Sequence, residues 1–182
     1  MKINEIFTSI QGEGPATGQL VTFIRTAGCN LSCARCDTDH HENSELAPKE
    51  VQAAVKGRCV ITGGEPCLQP DLLQVANLIS SDLETNGTIP INPAQFRYVV
   101  VSPKRGSDVD FDYWQKFSNV HFKFVIGPAP WCWSTIPPGL KNVWLMPFGT
   151  DSDLKWAKRT WNLSIALGYN YSDRLHIRVG GR

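Results

Sequence analysis

The chain has 182 residues, 42% of them hydrophobic, which is enough for one domain with its own core. Lys and Arg total 18 against 17 Asp and Glu, and no run of like charge stands out, so the electrostatic footprint of a protein that grips a phosphate backbone is absent. No run of roughly 18 apolar residues could span a membrane, and Met1-Lys2-Ile3-Asn4-Glu5-Ile6-Phe7 lacks the apolar stretch of a secretory signal. The expectation is a cytoplasmic protein that acts on a small molecule, with neither nucleic acid nor membrane as a partner.

Short apolar runs alternate with helical patterns and no repeat or linker interrupts them, which is the pattern of an α/β protein. Residues 20–25 read as the first strand. Pro48 suits the first turn of a helix with apolar Val51, Ala54 and Val55, and residues 59–62 form the next strand. A helix is expected over 71–79, then strands over 96–102, 120–126 and 143–146. The last long helix covers 152–167, where Leu154, Ala157, Trp161 and Ile165 recur at spacings of three and four and Gly168 is placed to stop it. Connections are short, with about nine residues between Thr88 and Tyr98. A complete eight-unit barrel takes about 250 residues. The expectation is therefore a single domain over 1–182, a shortened, partly open (β/α) barrel of about six strands with its ligands at the C-terminal mouth.

Three of the six cysteines crowd into eight positions, in Gly28-Cys29-Asn30-Leu31-Ser32-Cys33-Ala34-Arg35-Cys36-Asp37-Thr38. Such a cluster in a reducing compartment suggests a metal site rather than disulfides. Three soft thiolates can hold three irons of a cubane cluster and leave the fourth open. The competing reading is a structural zinc on Cys29, Cys33 and Cys36 with His40 or His41. Cys59 and Cys132 read as buried, inert thiols, and Cys67 stands out only through its position beside Thr62-Gly63-Gly64-Glu65-Pro66.

Taken together, Cys29-x3-Cys33-x2-Cys36 and Thr62-Gly63-Gly64-Glu65-Pro66 resemble the radical S-adenosylmethionine superfamily. Glycines let backbone groups come close to the cofactor, and Glu65 would orient its amino group or brace the loop. Further matches run along almost the whole chain: Glu5-Ile6-Phe7-Thr8-Ser9-Ile10-Gln11-Gly12-Glu13-Gly14, Phe23-Ile24-Arg25, Cys36-Asp37-Thr38, Glu84-Thr85-Asn86-Gly87-Thr88, Ser102-Pro103-Lys104 and Leu175-His176. These resemble the 7-carboxy-7-deazaguanine synthase family. The resemblance implies a lyase of 7-deazapurine and queuosine biosynthesis that contracts 6-carboxy-5,6,7,8-tetrahydropterin to 7-carboxy-7-deazaguanine with loss of ammonia. It implies a [4Fe–4S] cluster, S-adenosylmethionine and Mg2+, with a reducing donor such as flavodoxin or ferredoxin.

Carried onto this sequence, the resemblance makes Cys29, Cys33 and Cys36 the cluster ligands and Thr38 the magnesium ligand. Cofactor contacts fall on Arg35, Cys36, Asp37, Gly63, Gly64, Glu65, Ser102, Pro103, Lys104, Met146, Pro147, Phe148 and Gly149. Substrate contacts fall on Ile10, Gln11, Gly12, Glu13, Arg25, Thr62, His176 and Arg182. A guanidinium suits the pterin's carboxylate, though Arg25 in a plain surface ion pair is the bland alternative. The sequence departs from the family at Met146, where members often have glutamine, and in its Val179-Gly180-Gly181-Arg182 ending. Other readings are a different radical enzyme, such as a glycyl-radical activase, and a non-catalytic zinc module. A homodimer is expected from the family, with the tryptophans and the Pro-rich segment 128–138 as interface or core.

Overall fold

The computed structural model describes residues 1–128, 136–149 and 154–181. Its apolar runs form parallel neighbours in chain order: β2 (Leu20–Thr26), β4 (Cys59–Gly63), β5 (Ser81–Thr85), β6 (Val99–Val101), β7 (Val120–Ile126) and β8 (Val143–Pro147). On one side β1 (Lys2–Ile10) runs antiparallel to β2, with the two-residue β3 (Ser44–Glu45) outside it; on the other, the two-residue β9 (Asn170–Tyr171) follows β8. The nine-stranded sheet is open, with β3 and β9 at its edges. This is the shortened, partly open (β/α) arrangement expected, with an antiparallel strand added to its six longer parallel ones.

Side chains alternate along a strand, so the register divides the sheet into two faces. On one face Ile24, Ile61, Leu83, Val99, Phe122, Phe124 and Leu145 are buried with Val51, Leu72, Val75, Trp114 and Leu140. These residues come from or lie near α1 (Pro48–Ala54), α2 (Leu72–Leu78) and α3 (Phe111–Trp114), which pack on that face. Each such side chain contributes about 1.5–3 kcal/mol. On the opposite face the register aligns Glu5 with Arg25 and Arg25 with Thr62. Glu84 and Lys123 join them there, and this polar face holds the candidate site.

The expected strands fall within two residues of those observed, except 96–102, which shrinks to Val99–Val101 because a 3-10 turn at Pro93–Gln95 takes up the preceding chain. Pro48 opens α1, where the Glu50 carboxylate accepts from the Ala47 N–H at 2.7 Å. Neither β1 nor β5 was expected. In β5 the polar start hid the strand: Asp82 is fully buried because Arg58 and Arg97, from the starts of the neighbouring strands, each hold it at 2.9 Å. The helix α4 (Leu154–Leu167) ends before Gly168, whose φ of 68° suits glycine. The apolar residues that marked α4 do not form its buried side, for Leu154, Trp161 and Ile165 are exposed while Thr160 and Ser164 are buried.

Candidate functional site

The C-terminal ends of the parallel strands carry the thiol loop and the glycine motif side by side. The Gly64 N–H donates to the Thr26 carbonyl at 3.0 Å and the Glu65 N–H to the Gly28 carbonyl at 2.8 Å. A Cβ on Gly64 would lie 1.8 Å from the Gly28 oxygen, and one on Gly63, at φ 124°, 2.3 Å from the Thr26 nitrogen. The close approach these glycines permit is thus to the backbone that leads into the thiol loop. Glu65 acts as the brace: fully buried, it accepts from the Cys67 N–H (2.9 Å), the Thr85 hydroxyl (2.7 Å) and the Asn86 N–H (2.7 Å). Asn86 in turn donates to Asn30 at 2.9 Å, and Asn30 to the Thr88 hydroxyl at 2.8 Å, which fastens the thiol loop to the end of β5.

Cys29, Cys33 and Cys36 are free thiols, the first half-buried and the others exposed. Burial pushes the Cys33 thiol up, the Lys104 ammonium pulls it back, and Cys36 and Cys29 raise it further. Among the described residues no three His, Cys, Asp or Glu side chains converge closely enough to hold one metal ion. His41 of the zinc alternative is engaged with Asp39. Burial raises the Cys59 thiol to about 12 and pushes the Cys67 thiol up as well. Cys132 lies outside the described residues.

On the polar face, Gln11 and Thr62 both donate to the Glu84 carboxylate at 3.0 Å, joining the first loop, residues 11–19 between β1 and β2, to β4 and β5. Glu13 sits between two cations: Lys123 Nζ lies 2.5 Å from one oxygen and Arg174 Nε 3.1 Å from the other. Burial acts to raise the Glu13 carboxyl, but Lys123, Arg174 and His176 together outweigh it and hold it at about 2. Burial likewise pushes Lys123 down, and Glu13 and Glu84 more than reverse it, keeping the ammonium above the usual lysine range. His176, on the short helix α5 (Leu175–Arg178), lies 4.0 Å from Glu13, and its ring packs so closely on Gly12 that a Cβ there would meet Nδ1 at 2.1 Å. The Leu175 N–H donates to the Gly12 carbonyl at 2.9 Å and the Gly14 N–H to the Ser172 hydroxyl at 2.8 Å. Residues 172–176 are thereby strapped across the first loop.

Arg25 does enter an ion pair, with Glu5 at 2.8 Å, and also donates to the Thr38 hydroxyl at 3.3 Å. Its position on the polar face keeps it beside the thiol loop. Ser102 anchors its own loop through its N–H to Thr85 (2.8 Å) and accepts from Lys104 Nζ at 3.1 Å; burial, then Lys123, push Lys104 below the usual lysine range. Pro103 is buried between them. Arg35 lies over the Phe148 ring at 5.8 Å, joining the thiol loop to the end of β8, where Met146 and Pro147 are buried. The Gly149 carbonyl accepts from Arg174 at 3.3 Å. Ile10 is exposed at the rim, and Arg182 lies outside the described residues. Glu84, Lys123 and Arg174 were missed as site residues. Lys123 had a signal, a lone cation within the apolar run of β7; Arg174 had none.

An open α/β half-barrel with a three-thiol loop seated on a glycine motif at its strand ends defines the class. No family model matches the chain. It is similar to the 7-carboxy-7-deazaguanine synthase of Pyrobaculum aerophilum, with 31% identity over 100% of this chain and 95% of that protein. It is likewise similar to that of Hyperthermus butylicus, with 34% identity over 98% and 92%. The synthase of Bacteroides thetaiotaomicron is 42% identical over 58% of this chain, and the aligned part spans only 62% of that protein. The crystal structure of QueE from Escherichia coli matches with a TM-score of 0.75 and 25% identity, over 96% of this chain and 94% of that one. The chain belongs to the 7-carboxy-7-deazaguanine synthase family.

Proposed function

We propose that the chain is a radical S-adenosylmethionine lyase that converts 6-carboxy-5,6,7,8-tetrahydropterin to 7-carboxy-7-deazaguanine with loss of ammonia. The observation that carries this reading is the juxtaposition of the thiol loop, seated on Gly63 and Gly64, with the hydrogen-bonded cluster of Gln11, Thr62 and Glu84 at the same strand ends. The donor set fits a [4Fe–4S] cluster: Cys29, Cys33 and Cys36 are free, soft donors on one loop, two of them exposed. When bound, such a cluster supplies the electron that splits S-adenosylmethionine into a radical able to take hydrogen from the substrate.

The chain's own residues position and shield. A guanidinium carries about five N–H donors, so Arg25 can hold Glu5 and Thr38 and still grip a pterin carboxylate. Gln11 and Thr62 fix the Glu84 carboxylate as an acceptor for the N–H edge of the substrate. Ser102, Lys104 and the Arg35–Phe148 contact would offer the cofactor polar and aromatic partners, while Glu65 keeps the glycine loop in place from beneath. Thr38 offers magnesium a hard oxygen beside Asp37 and would exchange its bond from Arg25 for the ion. The 172–176 strap covers the first loop and keeps bulk water from the pocket. A flavodoxin- or ferredoxin-like donor, a homodimer and a cytoplasmic setting complete the proposal.

The test is anaerobic reconstitution with iron and sulfide, followed by turnover with the carboxytetrahydropterin, S-adenosylmethionine and magnesium. Formation of the carboxydeazaguanine is expected, and Cys33→Ala should abolish it. A fully loaded cluster with no conversion of the pterin would sink the proposal.

A further inference from the structure

Arg174 bridges the C-terminal strap to three other segments of the mouth: the loop after β1, the thiol loop and the end of β8. Its Nε donates to Glu13 at 3.1 Å, its Nη1 to the Gly149 carbonyl at 3.3 Å and its Nη2 to Asp37 at 2.6 Å. Arg174 itself is mostly buried, with a side-chain exposure of 16%, and Glu13 is held from behind by Lys123. The guanidinium is therefore anchored on its inner side, and its outer arm reaches a carboxylate that stands between Cys36 and Thr38. A planar fork suits this work, since separate nitrogens can serve separate loops without a change of rotamer.

We propose that Arg174 is a positioning residue that couples docking of the C-terminal strap to the placement of the thiol loop, through a relay of Lys123, Glu13, Arg174 and Asp37. Glu13 then serves as the strap's anchor, since both of its oxygens are engaged by cations of the chain. Whatever seats the first loop and the strap around a substrate is transmitted by Arg174 to the segment that carries Cys36. The consequence for cofactor placement rests on the reading of that loop as the cluster-bearing one; the relay itself does not. Coupling of this kind is reciprocal: loosening either end must loosen the other by the same factor.

Hydrogen exchange on the metal-free, full-length chain tests the relay without any need for turnover. Two amides report on its ends: that of Cys36, bonded to the Cys33 carbonyl, and that of Leu175, bonded to Gly12. Because Asp37 is exposed, the expected change is modest, about threefold faster exchange. Arg174→Gln is expected to speed Cys36, and Asp37→Ala, a change at an exposed side chain that spares the core, to speed Leu175. Arg174→Lys, which keeps the charge but loses the fork, should restore part of the protection in both places, while amides of β4 to β7 stay as in the wild type. Wild-type exchange at Cys36 in Arg174→Gln, or at Leu175 in Asp37→Ala, overturns the proposal. Failure of the wild type to convert the pterin would overturn the proposed reaction and leave this result standing.

Discussion

Replacing Gly12 with alanine is the sharpest way to separate the strap from the sheet. The φ of Gly12 lies outside the left-handed region, so alanine meets no backbone strain there, but its Cβ would fall 2.1 Å from His176 Nδ1 and 3.0 Å from the His176 backbone nitrogen. The ring must leave its place near Glu13, and the backbone of α5 must give by a few tenths of an ångström. Overpacking of this kind costs about 1–3 kcal/mol. The cost falls on the docked state alone, because a detached strap has nothing to collide with. At about 1.4 kcal/mol per tenfold, the population with the strap open should rise roughly 5- to 150-fold. The Leu175 amide, which donates to the Gly12 carbonyl, should lose exchange protection by that factor. The thermal midpoint should move little, since Gly12 is outside the apolar core. Unchanged protection at Leu175, or a collapse of the whole sheet, would refute the reasoning.

Glu13 gives a pH signature. Its carboxyl is held at about 2 in the fold, below an ordinary glutamate, so its pairing stabilises the protein fully above about pH 4.5 and the contribution is lost as the pH falls toward 2. Urea midpoints across that window should fall less steeply for Glu13→Gln than for the wild type, and equal slopes would remove Glu13 as the cause. Glu65→Ala strips partners from the Cys67 and Asn86 amides and the Thr85 hydroxyl, at about 1–3 kcal/mol for each group left unsatisfied. Chemical denaturation should show a loss of several kcal/mol, and a loss below about 1 kcal/mol would mean that water satisfies these groups. Thr38→Ala should raise the magnesium concentration needed for half-maximal turnover while iron content stays full; an unchanged requirement would take Thr38 out of the metal site.

The strands rich in apolar residues, β2, β4, β7 and β8, were legible because burial on the core face requires such residues at every second position. β5 was hidden because Asp82 stands where an apolar residue would have marked it, and only the tertiary pairing with Arg58 and Arg97 makes that placement tolerable. In α4 the period was real but its meaning was inverted, with Thr160 and Ser164 against the sheet and Trp161 outside. The thiol loop and the glycine motif could be read because their spacing is local. Arg174 could not, since its three partners are distant in sequence and only the fold brings them together. Glu65 was open between two roles, and its burial with three donors shows what it braces in the fold.

The Asp82 clamp lies at the opposite ends of the strands from the thiol loop. Cutting a buried pair of this kind costs about 3–5 kcal/mol, so the foot of the sheet is where this chain tolerates little change. Mutational tolerance should therefore be graded along the strands, stringent for folding at the foot and stringent for chemistry at the mouth. Loops at the mouth outside the Glu65 brace could be lengthened or exchanged without loosening the frame that carries them.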